Sequence, residues 1–314
     1  MSKNWLRNLV FGGALLALTA ASALAQDLVK EAMGTFPVDT ERLEYSNTAK
    51  LRTLPDYATL HAKYLAPELR TLENQLATLG IRENAINQVV LGWHISGGRL
   101  TMDGLASGQI DAQNMARQAA AQGMAPTPMG SASAYCFGNA DNSMCVAALG
   151  QSIGAFAPRD ELRSMLDVRS GQAPALNASQ GFSTLLERDR KDTPIWGVAT
   201  ASAIEDAFKG WMPVQKNLPI DLGTVFKNVE SLAYSVQPTD RLHVSVEMAC
   251  TSAEAASTLR QGFDELRLFQ KVAWQQQYPN TPNPFDDLTV GANGQTLLLS
   301  LSTSYSALEV RASQ

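Results

Sequence analysis

The chain has 314 residues, of which 45% are hydrophobic and 18% are charged, and this is the composition of an ordinary globular protein. Its 25 basic and 30 acidic residues give a formal net charge of −5 at pH 7. This acidic balance, without a basic run interleaved with aromatic residues, argues against nucleic acid and anionic membrane as partners.

The first 25 residues have the pattern of a cleaved secretory signal peptide. Lys3 and Arg7 provide a basic start, and the stretch Leu9–Ala25 carries no charge. It ends in Ala23-Leu24-Ala25, the small-residue pattern that a signal peptidase cuts. The alternative is an uncleaved anchor, because about 17 apolar residues lie at the lower limit for crossing a bilayer. We expect a mature chain from Gln26 that is periplasmic or secreted, without stable membrane insertion.

In the first half of the mature chain, apolar periodicity and capping residues predict alternating strands and helices. In chain order we predict a strand at Leu43–Asn47, a helical region at Lys50–Leu79, strands at Asn87–Ile95 and Arg99–Ala106, a helix from Asp111 to Gln122, a hairpin through Cys136 and Cys145, a strand at Ser152–Ala157 and a helix at Arg159–Asp167. Pro55 and Pro67 fall where new helices can begin, so the helical region should be in two or three pieces.

The hairpin contains two of the three cysteines. Apolar stretches flank a middle rich in Gly, Asn and Asp, which is typical of a hairpin loop. With Asn139–Asn142 as the loop, Cys136 lies opposite Cys145, and opposed Cα atoms in a non-hydrogen-bonded pair are about 4.5 Å apart. In an exported protein this predicts a Cys136–Cys145 disulfide, with two buried thiols as the alternative. Cys250 ends an apolar run and should be a buried, unreactive thiol.

The second half repeats the order of elements found in the first. We predict a strand at Ile195–Thr200, a helix at Ser202–Trp211, strands at Asn228–Val236 and Arg241–Ala249, a long helix from the Thr251/Ser252 cap to about Gln277, a hairpin of Leu288–Val290 and Gln295–Leu301 over Asn293-Gly294, and a final strand at Tyr305–Val310.

The matching order predicts an α+β protein of two similar halves, each a mainly antiparallel sheet with helices packed on one face. We divide the chain into a signal peptide (1–25), a first half (26–192) and a second half (193–314). The joint lies in Gly171–Pro194, which mixes Gly, Ala, Pro, Asn and Ser. The halves form either two domains or one continuous sheet.

Three short motifs resemble those of a group of uncharacterised exported bacterial proteins with duplicated α+β halves. They are Phe36-Pro37-x-Asp39-Thr40, the helix start Gly108-x-x-Asp111, and Pro194-Ile195-Trp196. This resemblance covers most of the mature chain and implies an exported protein with a duplicated fold. It implies no reaction.

The sequence also contains a motif associated with hydrolases. Gly150-Gln151-Ser152-Ile153-Gly154 matches the G-x-S-x-G nucleophile elbow, and His243 follows it in the expected order. The elbow requires a helix that starts at the serine, and Pro158 would lie inside that helix. We therefore expect no enzyme, with a serine hydrolase using Ser152 as the alternative.

No cofactor or metal site is expected from residue spacing. His61, His94 and His243 are scattered, and the sequence has neither a P-loop nor a G-x-G-x-x-G motif. His94 lies within a predicted strand, where a structural imidazole is the simpler interpretation.

The uncharged segment Trp274–Phe285 has no counterpart in the first half. Its aromatic residues Trp274, Tyr278 and Phe285, next to amide side chains, suit a surface that binds a sugar or a peptide. The alternative is a proline-stiffened loop whose aromatic rings fasten it to the sheet. The sequence thus predicts an exported, non-enzymatic binding or structural module of the bacterial cell envelope, with an unknown envelope ligand or protein as its partner.

Overall fold

The computed structural model describes residues 28–65, 67–130, 132–189, 192–204, 226–278, 283 and 286–305. The predicted signal peptide lies outside these residues, as do Phe285 and most of the predicted helix Ser202–Trp211. The predicted final strand also lies outside them, except for Tyr305, which is helical. Among the described residues, no helix has the length and apolar composition needed to cross a membrane.

Strands and helices occur close to the positions predicted from the sequence. The strands are β1 (Arg42–Ser46), β2 (Ile86–Ser96), β3 (Arg99–Gly108), β4 (Thr127–Met129), β5 (Ala132–Cys136), β6 (Met144–Ala148), β7 (Ile153–Pro158), β8 (Ile195–Thr200), β9 (Val229–Pro238), β10 (Leu242–Cys250), β11 (Thr289–Asn293) and β12 (Thr296–Thr303). The helices are α1 (28–33), α2 (Thr48–Leu51), α3 (Tyr57–Tyr64), α4 (Pro67–Thr78), α5 (Ala112–Ala121), α6 (Arg159–Arg169), α7 (Gln180–Asp189) and α8 (Ala253–Gln277).

The predicted caps begin two of these helices. The Asp111 carboxylate accepts a hydrogen bond from the Gln113 N–H at 2.8 Å and starts α5. The Ser252 hydroxyl accepts one from the Ala255 N–H at 3.0 Å and starts α8. Each cap satisfies a backbone donor that has no partner within its helix.

The described strands form a single 12-stranded sheet in the order β11-β12-β10-β9-β8-β1-β2-β3-β7-β6-β5-β4. All its pairings are antiparallel. The order is nearly symmetric about the β8–β1 pair, because β9 and β10 follow on one side as β2 and β3 do on the other. A hairpin, β11–β12 or β6–β7, then continues each side. The structure therefore confirms the α+β class and favours one continuous sheet over two separate sheets.

Helices cover both faces of the first half of the sheet, whereas the sequence predicted helices on one face. On one face of the sheet, which we call the α6 face, helices α1, α6 and α7 pack onto a core that includes Leu105. On the opposite face, which we call the α8 face, helices α4 and α5 pack onto a core that includes the next residue of β3, Ala106. Successive strand residues point to opposite faces, so both are buried only in a sheet covered on both sides. In the second half, the long helix α8 packs on the α8 face.

The predicted joint Gly171–Pro194 is largely structured. It contains α7, whose residues Phe182, Leu185 and Leu186 are buried in the core of the α6 face. The Leu176 N–H donates to the Phe36 carbonyl at 2.9 Å, which fastens the segment to the start of the mature chain. The joint therefore contains a helix that packs on the sheet, and the sequence analysis did not predict this helix.

The predicted disulfide is confirmed. Cys136 lies directly opposite Cys145 in the β5–β6 pair, their Cα atoms are 4.0 Å apart, and the bond is formed. The Phe137 N–H donates to the Met144 carbonyl at 2.9 Å and continues the pairing towards the loop. Cys250 is a buried free thiol, also as predicted.

We predict that the purified mature protein, alkylated under denaturing but non-reducing conditions, gains one alkyl group by mass spectrometry. Reduction before alkylation should raise this to three. Replacing both Cys136 and Cys145 by Ser should lower the free energy of unfolding by about 2–3 kcal/mol, because the short covalent loop no longer restricts the unfolded chain. Three alkyl groups without reduction would contradict the bridge.

Two glycines in the sheet make room for aromatic rings on the neighbouring strand. A Cβ added at Gly104 would lie 2.1 Å from the Phe156 ring, its partner in the β3–β7 pair. A Cβ added at Gly197 would lie 2.4 Å from the Tyr234 ring, its partner in the β8–β9 pair. In both pairs a ring on the α8 face covers the backbone of the opposing strand.

We predict that Gly104→Ala lowers the free energy of unfolding by about 1–3 kcal/mol, because Phe156 must leave its position. Gly150→Ala is the matched control, since a Cβ at Gly150 meets nothing within 4 Å. Urea unfolding followed by circular dichroism compares the two variants. Equal stability of both variants would show that the ring adjusts without strain.

Candidate functional site

An apolar cavity lies on the α8 face, between the sheet and the helical layer α2–α4. Its volume is about 810 Å³, within the roughly 300–1,000 Å³ range of small-molecule pockets. The roof is formed by leucines of the helical layer: Leu51, Leu54, Leu60, Leu65, Leu69, Leu72 and Leu76. The sequence predicted these helices but not the space beneath them.

The prolines and the leucine spacing explain why the roof forms. Pro67 is the first residue of α4, and Pro55 precedes α3, so the chain breaks into short helices that can follow the curved sheet. Leu69, Leu72 and Leu76 recur at helical spacing and form one stripe of α4. All three line the cavity; Leu72 is buried, and Leu69 and Leu76 are half-buried.

The floor of the cavity comes from both halves of the sheet. The residues of the first half are Val89, Leu91, Ala106 and Phe156, and those of the second half are Ile195, Val236, Pro238 and Leu242. The cavity therefore crosses the β8–β1 junction. Neither half would form it alone.

One wall of the cavity is polar and internally paired. The Tyr57 hydroxyl donates to Glu83 Oε1 at 2.6 Å, and the Arg52 guanidinium donates to the same oxygen at 3.2 Å. Arg52 also donates to the backbone carbonyl of Ile86 at 2.6 Å, which holds α2 against β2. Burial, together with the hydrogen bond to Glu83, raises the pKa of Tyr57 well above its usual range. Tyr57 is therefore a neutral hydrogen-bond donor at all physiological pH values.

A second polar pair extends the same wall. His61 Nε2 and Glu73 Oε1 are 2.9 Å apart and connect α3 to α4. The His61 ring lies 5.3 Å from the Tyr57 ring, between ring centroids. The wall thus offers polar groups of both charge signs beside an apolar chamber, an arrangement that orients a ligand with one polar end.

The sequence hypothesis of a serine nucleophile finds no matching geometry. Ser152 is exposed in the turn between β6 and β7, and it is followed by a strand rather than a helix. His243 is exposed on β10, six strand positions away from β7. At about 4.8 Å per strand this separation is roughly 29 Å, far beyond hydrogen-bond reach.

A buried ionisable cluster lies on the opposite face of the sheet, under α6. His94 Nε2 is 3.0 Å from Glu161 Oε2, and His94 Nδ1 is 3.4 Å from Asp103 Oδ2. Burial raises the pKa of Asp103 to about 7; nearby His94 opposes this shift, while Glu161 and Asp39 add to it. Sequence spacing missed the cluster because its members belong to β2, β3 and α6.

The predicted ligand surface is described only in part. Trp274 lies within α8 rather than in a loop, and its ring centroid is 4.7 Å from that of Tyr278. Both side chains are half-buried, and Phe285 is outside the described residues. The sugar or peptide surface therefore stays a prediction.

One feature of the sequence is related to the cavity. Eight of the 29 residues from Leu51 to Leu79 are leucine, and seven of these leucines line the cavity. The polar wall has no comparable signal, because Glu83 reaches Tyr57 across 26 residues.

No protein-family model matches the chain, and no curated protein matches it by sequence. Two solved structures of TP0453, an exported Treponema protein of unknown function, have a similar fold. For crystal form III the TM-score is 0.51 at 10% identity, covering 90% of this chain and 98% of TP0453. For crystal form I the TM-score is 0.51 at 9% identity, covering 90% and 95% respectively. This supports part of the expected resemblance: the chain shares its fold with an exported bacterial protein.

Proposed function

We propose that this protein is an exported, non-enzymatic binding module of the bacterial envelope that holds a long apolar ligand, such as a fatty acid or the acyl chain of a lipid. The observation that supports the proposal is the leucine-roofed cavity of about 810 Å³. A chamber of this size, apolar except for one wall, suits a flexible hydrocarbon better than a sugar or a peptide, which would leave polar groups unpaired.

The energetics of burial favour such a ligand. Each methylene transferred from water into the cavity contributes about 0.8 kcal/mol, so a dozen contribute roughly 10 kcal/mol. Association costs an estimated 4–15 kcal/mol in lost freedom of the partners. Binding is therefore favourable only for long chains that fill the chamber, and short acids should bind weakly.

The polar wall supplies a place for the ligand's polar end. Tyr57 and Arg52 are already paired with Glu83, whereas Arg82 is exposed at the margin of the cavity. A carboxylate or phosphate at the end of the chain would lie near the Arg82 guanidinium and stay in contact with water. The confirmed disulfide is consistent with an oxidising compartment.

We predict that a fluorescent fatty acid binds the mature chain and is displaced by long-chain but not short-chain acids. Leu76→Trp, which fills part of the cavity, should weaken binding at least tenfold, on the order of 1.4 kcal/mol. Leu268→Trp is the matched control, because Leu268 is 59% exposed on α8, away from the cavity lining. Displacement fluorimetry measures both variants, and circular dichroism verifies that both are folded.

The proposal fails if no long-chain acid binds, or if Leu76→Trp and Leu268→Trp bind it equally well. Binding of short and long acids with the same affinity would also contradict it. That result would place the ligand at the polar wall alone.

The non-enzymatic part of the proposal has its own test. Ser152 is exposed in a hairpin turn and lies six strand positions from the strand that carries His243, the base that the hydrolase hypothesis requires, so a fluorophosphonate probe should not label the mature protein. Ser152→Ala should be indistinguishable from the wild type in gel fluorescence. Labelling of the wild type that disappears in Ser152→Ala would instead support the serine hydrolase.

A further inference from the structure

The buried cluster under α6 brings together three side chains that can ligate metal. His94 and Asp103 lie on the α6 face of the paired strands β2 and β3, where Gly92 is the register partner of Asp103. Glu161 belongs to the first turn of α6, which packs over these strands. His94 is 3% exposed, Asp103 is fully buried, and the Glu161 side chain is 15% exposed. The cluster lies on the opposite face of the sheet from the apolar cavity and is independent of it.

Two of these side chains have polar atoms without a hydrogen-bond partner among the described residues. These atoms are both carboxylate oxygens of Asp103 and Nδ1 of His94. At 3.4 Å, the Nδ1–Oδ2 contact is an electrostatic contact and does not meet the geometry of a hydrogen bond. A fully buried carboxylate without a donor is among the least favourable arrangements in a protein core.

With both carboxylates ionised, the cluster carries more negative than positive charge. Two carboxylates carry two negative charges, and the single imidazole between them carries at most one positive charge. Asp103 is the more deeply buried of the two carboxylates and has no hydrogen-bond donor among the described residues, so it is the group that a cation would compensate most. A divalent cation would neutralise both carboxylates and satisfy the buried oxygens of Asp103.

The distances suit such an ion. One ligand atom from each of the three side chains can be chosen so that all lie within 4.8 Å of one another. Metal–ligand bonds of about 2.0–2.2 Å place neighbouring ligands roughly 3–4 Å apart, and small rotamer changes bring the three atoms into that range. Because His94 and Asp103 both belong to strands of the sheet, the Glu161 side chain on α6 is the one that would move most.

We propose that His94, Asp103 and Glu161 form a metal site for a divalent first-row transition ion, with Zn²⁺ as its best fit. One imidazole nitrogen with two carboxylate oxygens is a donor set that Zn²⁺ accepts, whereas Ca²⁺ and Mg²⁺ prefer oxygen alone. Glu161 is the exposed member and marks the route by which the ion enters. Since the ligands come from β2, β3 and α6, the bound ion joins α6 to the sheet.

The test uses the mature chain, stripped of metal with a chelator and then titrated with Zn²⁺ alone by isothermal calorimetry. We expect one Zn²⁺ per chain, a higher melting temperature in its presence, and no comparable response to Ca²⁺ or Mg²⁺. Glu161→Gln should weaken Zn²⁺ binding at least tenfold, and Asp103→Asn should weaken it further. His243→Gln is the matched control, because His243 is exposed on β10 and should leave the stoichiometry unchanged.

Three results would overturn the proposal. They are no Zn²⁺ binding by the wild type, unchanged binding by Glu161→Gln and Asp103→Asn, or loss of the bound ion in His243→Gln. If Asp103→Asn does not fold, Glu161→Gln carries the test, because its partly exposed side chain tolerates the change. If Asp103→Asn folds and is more stable than the wild type, and the wild type does not bind Zn²⁺, then the three side chains share a proton and hold no metal ion.

Discussion

The antiparallel pairing of β1 with β8 is the interaction on which the rest of the molecule depends. It joins the two halves at the middle of the sheet, with Leu43 opposite Val198 and Tyr45 opposite Trp196. The rings of Tyr45 and Trp196 stack with centroids 5.6 Å apart on the α6 face. Without this pair the sheet would divide into two smaller sheets, the cavity would lose half of its floor, and new strand edges would be exposed.

The two faces of the sheet have different physical roles. On the α6 face, large side chains such as Phe36, Phe182 and Trp196 are almost fully buried, and the ionisable cluster lies among them. On the α8 face, an apolar space remains between the strands and the helical layer α2–α4. A rigid core on one side can hold fixed ligands for an ion, whereas a loosely filled layer on the other can accept a flexible chain.

Leucines and ionisable side chains therefore have different roles on the two faces of the sheet. Leucines that are fully buried in the core stabilise the fold by excluding water, whereas the half-buried leucines of the roof keep apolar surface available. The polar side chains of the wall already have partners, Arg52 with Glu83 and His61 with Glu73. Asp103 lies deeper than either pair and has no hydrogen-bond donor among the described residues, which is why it is the stronger indication of a ligand site.

By itself, the sequence determined the local structure of this protein. Periodicity and capping residues predicted most strands and helices, the register of the Cys136–Cys145 hairpin and the α+β class, because these depend on neighbours a few residues apart. Tertiary structure alone decided that helices cover both faces, that α7 belongs to the core, and that one sheet joins both halves. It also decided the cavity and the His94 cluster, because their residues meet across separations as large as that between Leu51 and Leu242. Such contacts depend on which surfaces pack together, and no local pattern in the chain records that choice.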